Sequence, residues 1–150
     1  MKAFLIDPKE QTVTEVETEG TNRDIYRLID AELFDVVRLN DEGDCIYVDD
    51  GGLSRSNQSF FQMDSYSAPL AGKGLVLGCD CKGETRSVYV DSLQTFTPKV
   101  RFISRETAIE LGQVLDNINA EFAKDHDNYI AFPVADIIRS AAYSDESDKG

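Results

Sequence analysis

The segment SRETAIELGQVLDNINAEF, residues 104–122, restricts the fold more than any other part of the chain. Its residues Ala108, Leu111, Leu115, Ile118 and Phe122 recur three and four positions apart, the spacing of one helical face. Ser104 supplies an N-cap oxygen, and Glu106 sets an acid at the positive end of the helix dipole. Helical stability comes mostly from packing, so the stripe reads as core and needs a covering surface. No earlier segment carries a helix of comparable length, so that surface is expected to be a sheet.

The upstream chain supplies the strands. KAFLID (2–7) is apolar enough for a buried strand and stops at Asp7-Pro8, a turn starter. TVTEVE (12–17) alternates Val with polar groups, the period of a half-exposed strand. In GTNRDIYRLID (20–30) the period changes: Ile25, Leu28 and Ile29 share a helical face, and Thr21 or Asn22 can cap it. ELFDVVRLN (32–40) and CIYVDD (45–50) read as a second hairpin, with Gly43 in its turn. SNQSFFQMDSY (56–66) fits either one helical turn capped by Ser56 or an irregular loop. Strands are expected at Gly74–Gly78, within TRSVYVDSLQTF (85–96), and in KVRFI (99–103). After the long helix, YIAFPVADIIRSAAY (129–143) reads as extended up to Pro133 and as a short helix from Asp136. SDESDKG (144–150) reads as a frayed, flexible acidic tail.

This order implies an α+β fold: a mainly antiparallel sheet, one long helix (about 104–122) packed on one face, and a shorter helix near 21–30. A single domain is expected over 1–143. Alternating βαβ units are absent, which disfavours a doubly wound nucleotide-binding sheet.

Composition narrows the function. With 150 residues and 41% hydrophobic content, the chain can bury a core without staples. Asp and Glu number 28 against 15 Lys and Arg, a net charge of −13. Such a surface repels phosphate backbones, and no basic patch offsets it, so direct nucleic-acid binding is not expected. The acidity serves solubility or a partner with a basic surface. Cys45, Cys79 and Cys81 are an odd set with two members one residue apart, a poor disulfide framework. MKAFLIDPKE lacks the apolar run of a signal peptide, and no stretch approaches the roughly 20 apolar residues of a membrane span. A reduced, cytoplasmic protein is expected.

Candidate sites are few. Asp41, Glu42, Asp44, Asp49 and Asp50 place five carboxylates in ten residues. The apolar strand Cys45–Val48 divides them into clusters roughly 13 Å apart at about 3.3 Å per residue, so they cannot share one ion. Their spacing also fails the calcium-loop template, and they read as solvated hairpin corners. GGLSRS (51–56) offers backbone amides and Arg55 to an anion, but lacks the Lys-Ser/Thr ending of a phosphate loop. Cys79-Asp80-Cys81 has the wrong spacing for a zinc knuckle. His126, the single histidine, lies between Asp125 and Asp127 and reads as an exposed loop side chain. No catalytic set, metal site or cofactor site emerges. Arg55, Asp49 and Asp50 stand as candidate contacts for an anion or partner. Glu106 and Glu110, on the outer face of the long helix, stand as candidate contacts for a basic partner.

Several short segments together resemble a known pattern: FLIDP (4–8), a short helix, FDVVRL (34–39), VDDGGL (48–53), Asn57 and PLAGKGLVLG (69–78). Over about residues 2–80 the chain is similar to an uncharacterised family of small domains carried mainly by phages, plasmids and their bacterial hosts. It departs where that family has Gly-Gly before the FDVV-like strand; here Ala31-Glu32-Leu33 stands. The resemblance implies a phage or mobile-element accessory gene and carries no chemistry. The expected function is therefore that of a non-enzymatic acidic accessory protein that binds a host or phage protein. Two alternatives stand beside it: a DNA mimic that inhibits a nucleic-acid-binding host protein, and a small-ligand-binding or hydrolytic domain.

Overall fold

The structure is a computed structural model that describes residues 1–90, 92–126 and 133–148, with backbone alone over 142–148. β1 (Lys2–Asp7) and β2 (Thr12–Glu17) form the first hairpin. α1 (Asn22–Ile29) follows, capped by the Thr21 hydroxyl, which accepts the Asp24 amide at 3.2 Å. β3 (Phe34–Arg38) and β4 (Asp44–Asp49) form the second hairpin. β5 (Phe60–Met63) and β6 (Tyr66–Ala71) form a third. β7 (Gly74–Cys79) then inserts antiparallel between β1 and β4, which gives the order β2-β1-β7-β4-β3, with the short β8 (Thr85–Arg86) also on β7. α2 (Leu93–Phe96) leads to β9 (Val100–Ile103), which pairs with β5 to complete a second sheet, β6-β5-β9. α3 (Arg105–Lys124) and α4 (Val134–Asp148) close the chain.

Alternation along the strands builds three apolar interfaces. On one face of the larger sheet, Ala3, Tyr47, Leu75 and Leu77 pack under Ile25 and Ile29 of α1. On the other, Phe4, Ile6, Ile46, Val48 and Val76 meet Phe61, Met63 and Leu70 of the smaller sheet. The smaller sheet's outer face presents Phe60 and Ala71 to Ala108 of α3 and to Val134 and Ile138 of α4. The layers thus run α1, larger sheet, smaller sheet, α3 with α4. Gly74 allows the two sheets their close approach: a Cβ there would fall 2.7 Å from Ile46 Cδ1 and 2.9 Å from Phe61 Cζ. Burying a side chain such as Phe61 is worth about 1.5–3 kcal/mol.

The α+β class and the antiparallel pairing stand as expected, but the strands divide into two sheets. Segment 56–66, whose sequence fits either one helical turn or an irregular loop, is loop up to Ser59, then strand β5 and the turn into β6. The strand at 66–71 is unforeseen because it contains Pro69; β6 is an edge strand, where proline removes no ladder hydrogen bond. Segment 85–96 is a strand only at Thr85–Arg86. Beyond it the amides of Tyr89 and Val90 turn to the Asp44 carboxylate, at 2.7 and 3.3 Å, and Ser92 caps α2. Phe96 then enters the inter-sheet core, its ring 5.0 Å from that of Phe4. The helix expected from Asp136 begins at Val134. The extended reading of 129–132 lies outside the described residues. The backbone of α4 runs on to Asp148, through most of the segment read as a frayed tail, and 149–150 lie outside the described residues.

The long helix forms as expected, but its stripe is only partly core. Burial centres on Ala108 and Gly112, where α4 crosses; Leu111 and Leu115 are half-buried, and Ile118 and Phe122 are exposed. No described helix is long and apolar enough to cross a membrane.

Candidate functional site

Five separate segments converge on one polar cleft of about 410 Å³. They are the β1–β2 turn (Asp7 to Glu10), the end of α1 (Ile29, Asp30), the end of β4 (Asp49), the loop Arg55–Ser59, and the β6–β7 turn (Gly72, Lys73). Local chemistry fixes each. Asp7 Oδ1 accepts the amides of Lys9 and Glu10 at 3.1 and 3.2 Å, which shapes the first turn. Asp30 ends α1 in the left-handed conformation, φ 55°, with its amide on Tyr26 O. Asn57 also has a positive φ, 53°, a conformation Asn tolerates well. Gln58 ties the loop to the 3₁₀ turn Gly52–Ser54: Nε2 donates to Gly52 O at 2.9 Å, and Oε1 accepts the Ser59 amide. The Gly72 amide donates to Ser59 O at 2.9 Å, joining the last turn to the loop.

Two ion pairs set the electrostatics. The Asp49 side chain is 8% exposed; its Oδ1 accepts the Gly51 amide at 3.0 Å, and its Oδ2 accepts Arg55 Nε. That hydrogen bond and the Asp49 charge raise Arg55 above its ordinary pKa. The two terminal guanidinium nitrogens of Arg55 donate to no acceptor among the described residues. Lys73 Nζ donates to Asp30 Oδ2 at 2.6 Å, which raises the Lys73 pKa. Lys9 adds a third cation and Glu10 a fourth carboxylate to the lining. The arrangement offers anion donors beside carboxylate acceptors within one enclosure.

Of the sequence candidates, Asp49 and Arg55 meet here. Asp50 does not line the cleft: it is exposed and faces Asp35, whose pKa rises through desolvation first, then through the Asp50 hydrogen bond and charge. Glu106 and Glu110 lie apart, exposed on α3. Asp44 corrects the reading of a solvated corner. It is 1% exposed, and it accepts Asn40 Nδ2 as well as the Tyr89 and Val90 amides. His126 is exposed, with its ring stacked on Phe122 at 3.8 Å; its neighbour Asp127 lies outside the described residues. Cys45 is buried, Cys79 half-buried and Cys81 exposed, all as free thiols. Burial first, then the Cys79 thiol, raises the Cys45 pKa. Among the described residues, no group of His, Cys, Asp or Glu is arranged to hold a metal ion.

Sequence reasoning missed Asp7, Asp30, Gln58 and Lys73. Asp7 reads as turn punctuation and Lys73 as a residue between strand-flanking glycines; their common signal is a polar side chain beside a turn residue. FLIDP, VDDGGL, Asn57 and PLAGKG, four of the segments that carry the resemblance, each give a residue to the cleft, while FDVVRL gives none.

Residues 1–101 match a family described as a domain of unknown function, DUF3846. The cleft lies wholly within the matched span, while α3 and α4 lie beyond it. No curated protein and no solved structure matches the chain.

Proposed function

The chain belongs to the DUF3846 family of domains of unknown function, and we propose that it is a binding domain whose cleft holds a small hydroxylated anion, in kind a sugar phosphate. The observation that supports this is the anchored guanidinium: Asp49 occupies Arg55 Nε and leaves both terminal nitrogens for a ligand. A planar guanidinium matches phosphate or carboxylate oxygens two at a time. Lys73 and Lys9 add charge on the same cleft, while Asp30, Asp7 and Glu10 can accept the hydroxyls of the ligand. A volume near 410 Å³ suits a small metabolite. Among the described lining residues no nucleophile is paired with a base, so the reading is binding rather than turnover. Under this proposal the protein is a cytoplasmic accessory factor of phage or mobile-element type that responds to a host metabolite.

Calorimetry with ribose 5-phosphate tests the reading. The expected result is a Kd below about 1 mM, weakened at least tenfold in Arg55→Ala and in Lys73→Ala. Absence of heat, or binding that survives both substitutions, overturns it.

A further inference from the structure

We propose that the outward face of α3 docks a basic amphipathic helix of a partner protein. α3 is held along one side. A Cβ on Gly112 would fall 2.9 Å from Val134 Cγ1 and 3.0 Å from the Ala135 nitrogen, so α4 crosses there in close contact. One turn on, Asp116 caps α4 by accepting the Val134 and Ala135 amides, both at 2.9 Å. One turn back, Ala108 is fully buried. Val114 and Ile118 form a second row, continued by Phe122 with the His126 ring stacked on it, roughly 80–160° around the helix from this line at about 3.6 residues per turn. They are 57%, 59% and 46% exposed, and Leu111 and Leu115 are half-buried beside them. The other exposed large apolar residues among those described, Met1, Leu33 and Val36, lie elsewhere in the chain. Single exposed apolar side chains are ordinary, but a row with half-buried shoulders is a patch.

The surroundings of the row select the occupant. Glu106 and Glu110 continue it toward the helix start, and Glu121 and Asp125 stand beside it, all four exposed. Lys124 Nζ donates to Glu121 at 2.9 Å, so that pair is close to neutral and Glu106, Glu110 and Asp125 carry the charge of the rim. An apolar ridge within an acidic rim complements a helix whose apolar positions are flanked by Lys or Arg. A second copy of this chain would bring acids against acids, which disfavours self-association. No α3 residue lines the cleft, so this inference stands apart from the ligand proposal.

The probes are a synthetic helix with Leu at i, i+4 and i+7 and Lys elsewhere, its Glu counterpart with the same Leu positions, and a scrambled Lys/Leu peptide. Each is titrated into the full ¹⁵N-labelled chain. The expected result is shifts confined to amides of 106–125 with the basic helix, at least tenfold weaker binding of the other two peptides, and loss of binding in Ile118→Ser. Glu110→Lys should weaken binding at least threefold, and because both positions are exposed the fold survives these changes. The proposal is overturned if the scrambled peptide binds equally, if no shifts occur or they fall elsewhere, or if sedimentation shows self-association that Ile118→Ser abolishes.

Discussion

Arg55 Nε donates to Asp49 Oδ2, and the other oxygen of Asp49 accepts the Gly51 amide, so one largely buried carboxylate fixes both the turn after β4 and the cation of the cleft. Asp49→Asn should therefore weaken ribose 5-phosphate binding at least threefold without removing a cationic group. Its stability cost should stay within about 1 kcal/mol, because Arg55 is 54% exposed and solvent screens the pair. Calorimetry and denaturant melts of the same sample check both parts.

Asp44 should behave in the opposite way. It serves no cleft cation, yet it satisfies two backbone amides and the Asn40 side chain from a buried position. Leaving such donors unpaired costs about 1–3 kcal/mol each. Asp44→Ala is expected to lose about 3 kcal/mol, a fall in Tm of about 6–12 °C for a chain of this length, with ligand binding retained at low temperature. Differential scanning calorimetry reads the loss.

Asp24 gives the pH dependence its sign. The Thr18 hydroxyl first, then Arg27, hold its pKa below the ordinary 3.8. A lowered folded-state pKa contributes stability above 3.8 that disappears as pH falls through the lower folded value. Thr18→Ala should reduce Tm at pH 7 by about 2–4 °C, for about 1 kcal/mol. The gap to the unsubstituted protein should narrow below pH 3.8. A Tm series across pH measures it.

Gly74→Ala tests the contact between the sheets. Ile46 and Phe61 are both fully buried, so the added methyl has little room to be accommodated. Overpacking of this kind costs about 1–3 kcal/mol, and chemical denaturation should show it as a lower midpoint with an unchanged slope.

The class of the fold was legible because hydrophobic period is local. The alternation in TVTEVE and the stripe from Ala108 to Phe122 each announce an element without reference to the rest of the chain. Two features required the third dimension. Pro69 hides β6 until β6 is known to be an edge strand, and segment 85–96 leaves the sheet because Asp44, far back in the chain, draws in the amides of Tyr89 and Val90. The stripe on α3 gave the right helix but only part of its buried side, since the small residues Ala108 and Gly112 let α4 approach there. In the cleft, Asp49 and Arg55 could be singled out as neighbours in sequence. Asp30 and Lys73 could not, because their contact spans 43 positions.

The central claim is that the five segments around Arg55 form a site for a small hydroxylated anion. The most direct measurement is an NMR titration of the ¹⁵N-labelled protein with ribose 5-phosphate. The account predicts that the amides of Asp7, Lys9, Glu10 and Asp30 and those at 55–59 and 72–73 shift together with a single Kd while those of α3 stay in place; an unmoved cleft, or shifts centred elsewhere, contradicts it.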